Sequence, residues 1–270
     1  MIKVYEHNRA FLSDFLTLLE QDEIKNNLMI GISKRDQLES PFFISSMIDN
    51  DWLVGVIAGK NMILASNTQK HELYEELILF MENKEYPGII GPKDVCETYV
   101  NLYQSLTHKQ MIKYMDQRIY TCIKTNNISE TKGICRAAIS SDINRLLPWV
   151  CDFELMVEGR YDEKHLLEAL TKKINDKSIY VFEINGEVVS MAARSRSLLK
   201  TESVSLVYTP NEHRHHGYAS QIVTYITDLI LEEGRTAMLY TDLSNPTSNS
   251  IYMNIGYITY CDSSVYVKPI

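Results

Sequence analysis

The stretch Arg214-His215-His216-Gly217-Tyr218-Ala219 places a cationic side chain, two imidazoles and two small residues directly after an apolar run, Val204-Ser205-Leu206-Val207-Tyr208-Thr209. These residue types suit an anion such as a phosphate. A helix starting at Tyr218 offers unpaired backbone N–H groups and the positive end of its dipole. Gly217 removes the side chain where backbone must come closest to a ligand, and Ala219 is the next smallest option. Arg214, His215 and His216 can add charge-assisted hydrogen bonds.

Other readings of this stretch are weaker. Arg-x-x-Gly-x-Ala alone is also the pattern of an ordinary strand-to-helix loop. His213, His215 and His216 invite a metal, but His215 and His216 are neighbours and no carboxylate or cysteine pattern completes a closed site, so no metal is expected. Neither Gly-x-Gly-x-x-Gly nor Gly-x-x-x-x-Gly-Lys-Ser/Thr occurs, which removes the two common nucleotide loops.

The elements around the loop follow a clear order. A strand is expected at Ile134–Ala137, then a helix capped by Ser141-Asp142 and running to about Phe153, and a second helix over Glu163–Ile174. Strands Ile179–Ile184 and Val188–Ala193 are joined by Asn185-Gly186, a strong hairpin signal. Val204–Tyr208 is a third strand, then come the loop and a helix over Tyr218–Glu232. A strand at Ala237–Thr241 and a short helix at Ser248–Asn254 follow, with strands Tyr257–Tyr260 and Val265–Lys268 closing the sheet.

Before this region the pattern is mixed. Phe11, Phe15, Leu16, Leu18 and Leu19 form a helical stripe, and Phe42–Met47 with Trp52–Ile57 read as paired strands. Met62–Ala65 reads as a strand and Glu72–Glu82 as a helix. Gly88-Ile89-Ile90-Gly91-Pro92 reads as a turn, followed by a helix over Asp94–Leu106 and a strand over Met115–Ile123. The polar stretch Lys124–Lys132 is the clearest break, so one domain is expected over 1–125 and a second over 133–270.

With 270 residues the chain has room for two domains. A net charge of −8 argues against nucleic acid as the main partner. It suits a cationic amine, and it is equally ordinary for a cytosolic protein. Five cysteines without a Cys-x-x-Cys pair fit reduced thiols in a cytoplasm. No apolar run approaches the ~20 residues of a membrane helix, and Met1–Arg9 has no signal core, so a soluble cytoplasmic protein with no membrane partner is expected. The oligomeric state is left open, a homodimer among the options.

The ordered motifs Val207-Tyr208-Thr209-Pro210…Gly217-Tyr218-Ala219 and Tyr240-Thr241-Asp242-Leu243…Asn245-Pro246-Thr247-Ser248-Asn249…Ile251-Tyr252…Ile255-Gly256-Tyr257 resemble the GNAT superfamily of N-acetyltransferases over about residues 133–268. The resemblance implies an α/β fold and acetyl-coenzyme A as co-substrate. The backbone of Val207, Tyr208 and Thr209 would pair with the pantetheine arm. Amides from His215, His216, Gly217, Tyr218, Ala219 and Ser220 would cradle the pyrophosphate. Asn245 and Asn249 would line the coenzyme arm, and Tyr252 would protonate the departing thiolate. Tyr257 reads as core.

The general base is open. Glu202 lies near the family's position but one residue off, with Ser203 or Ser205 on the inward face; Glu154, Glu158 or water are alternatives. The N-terminal half, whose element order is similar to that of the same fold, is expected to be a degenerate GNAT-like domain without coenzyme, so that two mixed-sheet domains stand in tandem. The implied reaction is acetyl transfer to a primary amine of a small molecule. A non-catalytic acyl-coenzyme A sensor and a protein or peptide acetyltransferase are the alternatives.

Overall fold

A computed structural model describes residues 1–38, 40–59 and 61–269, with only the backbone of Glu158 described. The chain divides into two compact units. The first comprises Met1–Ile119, Tyr240–Pro246 and Thr259–Ile270, and the second comprises Tyr120–Leu239 and Thr247–Ile258.

In chain order the elements are β1 (Ile2–Tyr5), α1 (Asn8–Leu19), α2 (Asn27–Ser33), β2 (Phe42–Ile48), β3 (Asp51–Ile57), β4 (Met62–Ser66), α3 (His71–Met81), β5 (Gly88–Pro92), α4 (Lys93–Thr107) and β6 (Ile112–Cys122). The same series then recurs. It runs β7 (Ile134–Ala137), α5 (Ile143–Glu158), α6 (Glu163–Asn175), β8 (Ile179–Ile184), β9 (Glu187–Ser195), β10 (Thr201–Tyr208), α7 (Tyr218–Glu232), β11 (Thr236–Asp242), α8 (Pro246–Ile255) and β12 (Ile258–Val267). Each series is strand, two helices, three strands, helix, strand, helix, strand. The fold is therefore two mixed-sheet α/β copies in tandem.

Within the first unit, β1, β2, β3 and β4 pair antiparallel, β5 is parallel to β4, and β12 lies antiparallel on β5 from Ser263↔Pro92 to Val267↔Gly88. Leu73, Tyr74, Leu77, Ile78 and Met81 of α3 and Val95, Tyr99 and Tyr103 of α4 cover one sheet face, meeting Ile44, Leu53 and Leu64. Rings from Tyr5, Phe11, Phe15, Phe43 and Trp52 cluster together, with Phe11 and Phe15 stacked at 5.5 Å.

Within the second unit, β7, β8, β9 and β10 pair antiparallel and β11 is parallel to β10. Ile222, Val223, Ile226 and Ile230 of α7 cover one face with Tyr252 and Ile255 of α8. Leu146, Trp149 and Val150 of α5 and Leu170 and Ile174 of α6 cover the other, against Val181, Met191 and Tyr208. Asn185 and Gly186 both take positive φ, 50° and 83°, as the turn between right-twisted strands requires.

The expected helices and strands of residues 133–268 are present with boundaries moved by a few residues, but three readings need correction. Gly88–Pro92 is a strand, not a turn. Its glycines serve close backbone approach: a Cβ at Gly91 would stand 2.5 Å from the Leu64 carbonyl oxygen, and one at Gly88 would overlap the Tyr266 carbonyl oxygen. The closing strands Tyr257–Tyr260 and Val265–Lys268 are one strand, β12. The polar run between them is held by Arg118 on Asp262 at 2.8 Å, Ser263 on the Gly91 carbonyl at 2.8 Å and Ser264 on Asp116 at 2.7 Å. Helix α5 also continues past Phe153 to Glu158, where Gly159 in the left-handed region caps it. Strand β1 and helix α2 carry too little periodicity to stand out in the sequence. No helix among the described residues is long and apolar enough to cross a membrane.

Candidate active site

Strand β10 has two irregularities that matter for ligand binding. Its parallel pairing with β11 covers only Thr201↔Thr236 to Ser203↔Met238, so in the described pairing Val204–Tyr208 continue without a β11 partner. On the opposite edge the register with β9 slips between Ser205↔Ala193 and Tyr208↔Met191, one extra residue on β10, and Leu206 sits at φ 52°. This is a β-bulge, a device that turns backbone groups out of a ladder. Val207 is the residue after it, and Val207–Thr209 are the positions at which an extended ligand arm could add as a strand.

The chain then enters the loop. Ser190 Oγ lies 2.8 Å from Thr209 Oγ1 and donates to the Tyr208 carbonyl at 3.2 Å, fixing the end of the strand. Arg214 Nε donates to the Thr209 carbonyl at 2.9 Å while the residue stays exposed. His215 and Gly217 both take positive φ, 66° and 78°, so consecutive amides turn towards one side. Gly217 is the N-cap of α7, and its carbonyl accepts the first intrahelical bond from Gln221 at 3.1 Å. No side chain caps this helix and its first turn has no acidic residue. The first amides of α7 thus carry no side-chain cap. His216 stacks on Tyr218 at 5.3 Å.

Helix α8 brings in Tyr252 and Asn249, both buried. Tyr252 belongs to the same apolar cluster as Val204, and Val207 and Tyr218 pack against that cluster. The Tyr252 phenol has no hydrogen-bond partner among the described residues, and burial pushes it up to about 12. The Tyr257 ring meets Tyr252 edge-on at 6.1 Å, and its hydroxyl lies 2.7 Å from Thr227 Oγ1, so it is core. Asn249 accepts from the Tyr120 hydroxyl at 2.9 Å. Asn245 is exposed, belongs to the first compact unit, and its amide donates to the Asp242 carbonyl at 3.1 Å.

Of the base candidates, Glu202 is buried and already paired. Arg194 reaches both its oxygens, at 3.1 and 2.6 Å, and Arg235 adds a contact at 2.9 Å. Its two oxygens are thus committed to guanidinium groups. Ser203 accepts from Arg196 at 2.9 Å and Ser205 from Ser195 at 2.9 Å, so both hydroxyls are tied into β9–β10 contacts. Glu154 is half-buried on α5, and the side chain of Glu158 lies outside the described residues.

The sequence did not single out Asp152. It lies on the exposed side of α5 and accepts a hydrogen bond from the Tyr208 hydroxyl at 2.9 Å. Its place two residues before Glu154 gives no periodic signal; only the packing of α5 on β10 brings it to this end of the strand.

The first unit has a different loop at the corresponding place. Its β4-to-α3 loop, Asn67–Lys70, is short and without glycine, and the Thr68 amide is taken by Ser66 Oγ at 3.1 Å. Asn26 and Met29 fill the space beside Leu64 and Gly91, leaving a cavity of about 10 Å³, room for about one water.

Residues 181–267 match the family model described as FR47-like protein. The chain is similar along its length to solved structures. A GNAT-family acetyltransferase from Colwellia psychrerythraea is 15% identical, with a TM-score of 0.64 and 99% of each chain covered. A GCN5-related N-acetyltransferase from Kribbella flavida is 12% identical, with a TM-score of 0.60 over 92% of this chain and 95% of the other. A GCN5-related glucosamine N-acetyltransferase region of a fungal multi-domain GH3 beta-N-acetylglucosaminidase is 12% identical, with a TM-score of 0.59 over 98% of this chain and 38% of that one. No curated protein matches in sequence. The whole chain thus shares the fold of solved GNAT structures, and residues 181–267 carry the FR47-like signature.

Proposed function

We propose that the protein transfers the acetyl group of acetyl-coenzyme A to a primary amine of a small molecule, in the cytoplasm, using the second unit. The observation that carries this reading is the bulged end of β10 running into the uncapped N-terminus of α7, with Val207, Tyr218 and Tyr252 all belonging to or packed on one apolar cluster. The backbone of Val207–Thr209 would hold the pantetheine arm and the Gly217–Ser220 amides the pyrophosphate. Asn249 would add a further coenzyme contact.

The neutral amine attacks the thioester carbonyl, and a backbone N–H near Val207 supports the oxyanion. The C–S bond then breaks and negative charge collects on sulfur. A phenol at about 12 stays protonated at neutral pH. Relative to an ordinary thiol, at about 8.5, full proton transfer from it runs uphill. Tyr252 therefore acts first by hydrogen-bonding the sulfur as charge develops, and the proton follows as the thiol departs. With Glu202 committed to Arg194 and Arg235, water takes the proton from the amine.

Isothermal titration with acetyl-coenzyme A tests the coenzyme site, and release of free thiol across an amine panel tests the transfer. Binding without turnover on any amine would favour the sensing module instead.

A further inference from the structure

Asp152 is an exposed carboxylate whose direction is set. The Tyr208 hydroxyl donates to its Oδ2 at 2.9 Å, and the Tyr208 ring is itself locked, buried with its centroid 5.9 Å from that of Trp149. Burial, and then the hydrogen bond to Asp152, push the Tyr208 phenol up, so it remains a donor. No lysine, arginine or histidine among the described residues pairs with Asp152. The nearest cation on its helix, Arg145, is spent on Glu187 at 2.9 Å and on the Trp149 ring at 5.1 Å. The other charges acting here are Glu212 and Arg214, which face Tyr208, and Glu163, which with Asp152 faces Cys151. Three carboxylates against one guanidinium leave this corner negative, which suits a cation.

The position of the carboxylate matters as much as its charge. It sits at the far end of the Tyr208 ring, a full tyrosine side chain away from the strand backbone. A nitrogen attacking a thioester held at Val207 must lie about 3–3.5 Å from the carbonyl carbon. Asp152 is therefore placed to grip a different part of the acceptor from the atom that reacts. This also avoids a conflict, because pairing the reacting nitrogen with a carboxylate would stabilise its unreactive ammonium form.

We infer that Asp152, oriented by Tyr208, binds a second positively charged group of the acceptor, so that the preferred substrates carry two amino groups, one acetylated and one held. This rests on the acetyl-transfer reading above and narrows its acceptor class.

The test compares kcat/KM for 1,4-diaminobutane and butylamine, probes that differ by the second ammonium, in the full-length protein and its Asp152→Asn and Tyr208→Phe variants. A charge-assisted hydrogen bond supports a diamine preference of about tenfold or more in the wild type. In Asp152→Asn the preference should collapse towards unity through a raised KM for the diamine. In Tyr208→Phe it should fall part-way, since the carboxylate remains but loses its orientation. Acetyl-coenzyme A titration of each variant reports that the fold and coenzyme site persist. A wild type without diamine preference, or an Asp152→Asn variant that retains it, overturns the inference while leaving the acetyl-transfer reading standing. A protein that binds acetyl-coenzyme A yet releases thiol with no amine of a mono- and diamine panel overturns that reading, and this inference with it.

Discussion

Arg194 grips Glu202 through both carboxylate oxygens, Nε on Oε1 at 3.1 Å and Nη2 on Oε2 at 2.6 Å, inside the β9–β10 ladder. The pair holds together the strand that carries the bulge. It also removes from the chemistry the one glutamate that lies near the expected base position. Because β10 pairs with β11 only from Thr201 to Ser203, this ion pair sits where the strand is still anchored, just before it departs.

Replacing Glu202 by Gln should therefore damage stability more than chemistry. It removes one of the two carboxylates that Arg194 and Arg235 share while Glu233 remains, at a cost of about 1–3 kcal/mol. The melting temperature should fall well below that of the wild type, while the pH dependence of kcat/KM keeps its shape. An acidic-limb pKa that disappears in Glu202→Gln would reinstate Glu202 as the base.

The same cluster predicts an acid limb. Arg194 and Arg235 pull the Glu233 carboxyl down to about 2, from an ordinary glutamate value near 4.5. A depressed carboxyl stabilises the fold above its unfolded pKa and loses that contribution as pH falls through the folded one. The window is therefore pH 4.5 down to about 2. Glu233 is nearly half exposed, so screening limits the effect to about 1 kcal/mol or less. Glu233→Gln should flatten the stability curve across that window in denaturant melts, with no change in slope above pH 5.

Tyr252→Phe removes the donor without disturbing the apolar packing of its ring. Loss of a general acid costs about 10²–10⁴ in rate. We expect kcat to fall in that range with the acetyl-coenzyme A Kd nearly unchanged, read by thiol release and calorimetry. An unaltered kcat, under conditions where chemistry is limiting, removes Tyr252 from the mechanism.

Gly217→Val probes the loop. A β-branched residue at φ 78° carries left-handed strain of about 1–2 kcal/mol. The expected result is a fall in melting temperature of about 2–4 °C per kcal/mol. Acetyl-coenzyme A binding should weaken with it, because the amides lose their alignment.

Gly91→Ala tests why the first unit needs a glycine in a strand. Its Cβ would meet the Leu64 carbonyl oxygen at 2.5 Å, and backbone cannot swing aside like a side chain. Overpacking of this kind costs about 1–3 kcal/mol. Thermal melts should register that loss, while Gly159→Ala, where nothing lies within 4 Å of an added Cβ, should show only the strain of its positive φ of 71°.

Local chemistry decided much of this protein in the sequence alone. Apolar periodicity placed α7 and β8 at their observed ends, Asn185-Gly186 set the hairpin, and Gly217 marked the start of α7 because a glycine and a helix start are neighbours in the chain. Such signals survive in one dimension because the interactions that create them span only a few residues. What lay beyond reach depended on partners far along the chain. Gly88–Pro92 reads as a turn until β4 and β12 close on either side of it. Glu202 reads as a free carboxylate until Arg194 and Arg235 fold onto it. The bulge at Leu206, and with it the meeting of Tyr208 and Asp152, exists only because β9 and α5 pack against β10. Residue type set what each group could do, but burial and pairing, which only the tertiary structure supplies, decided which groups were left to do it.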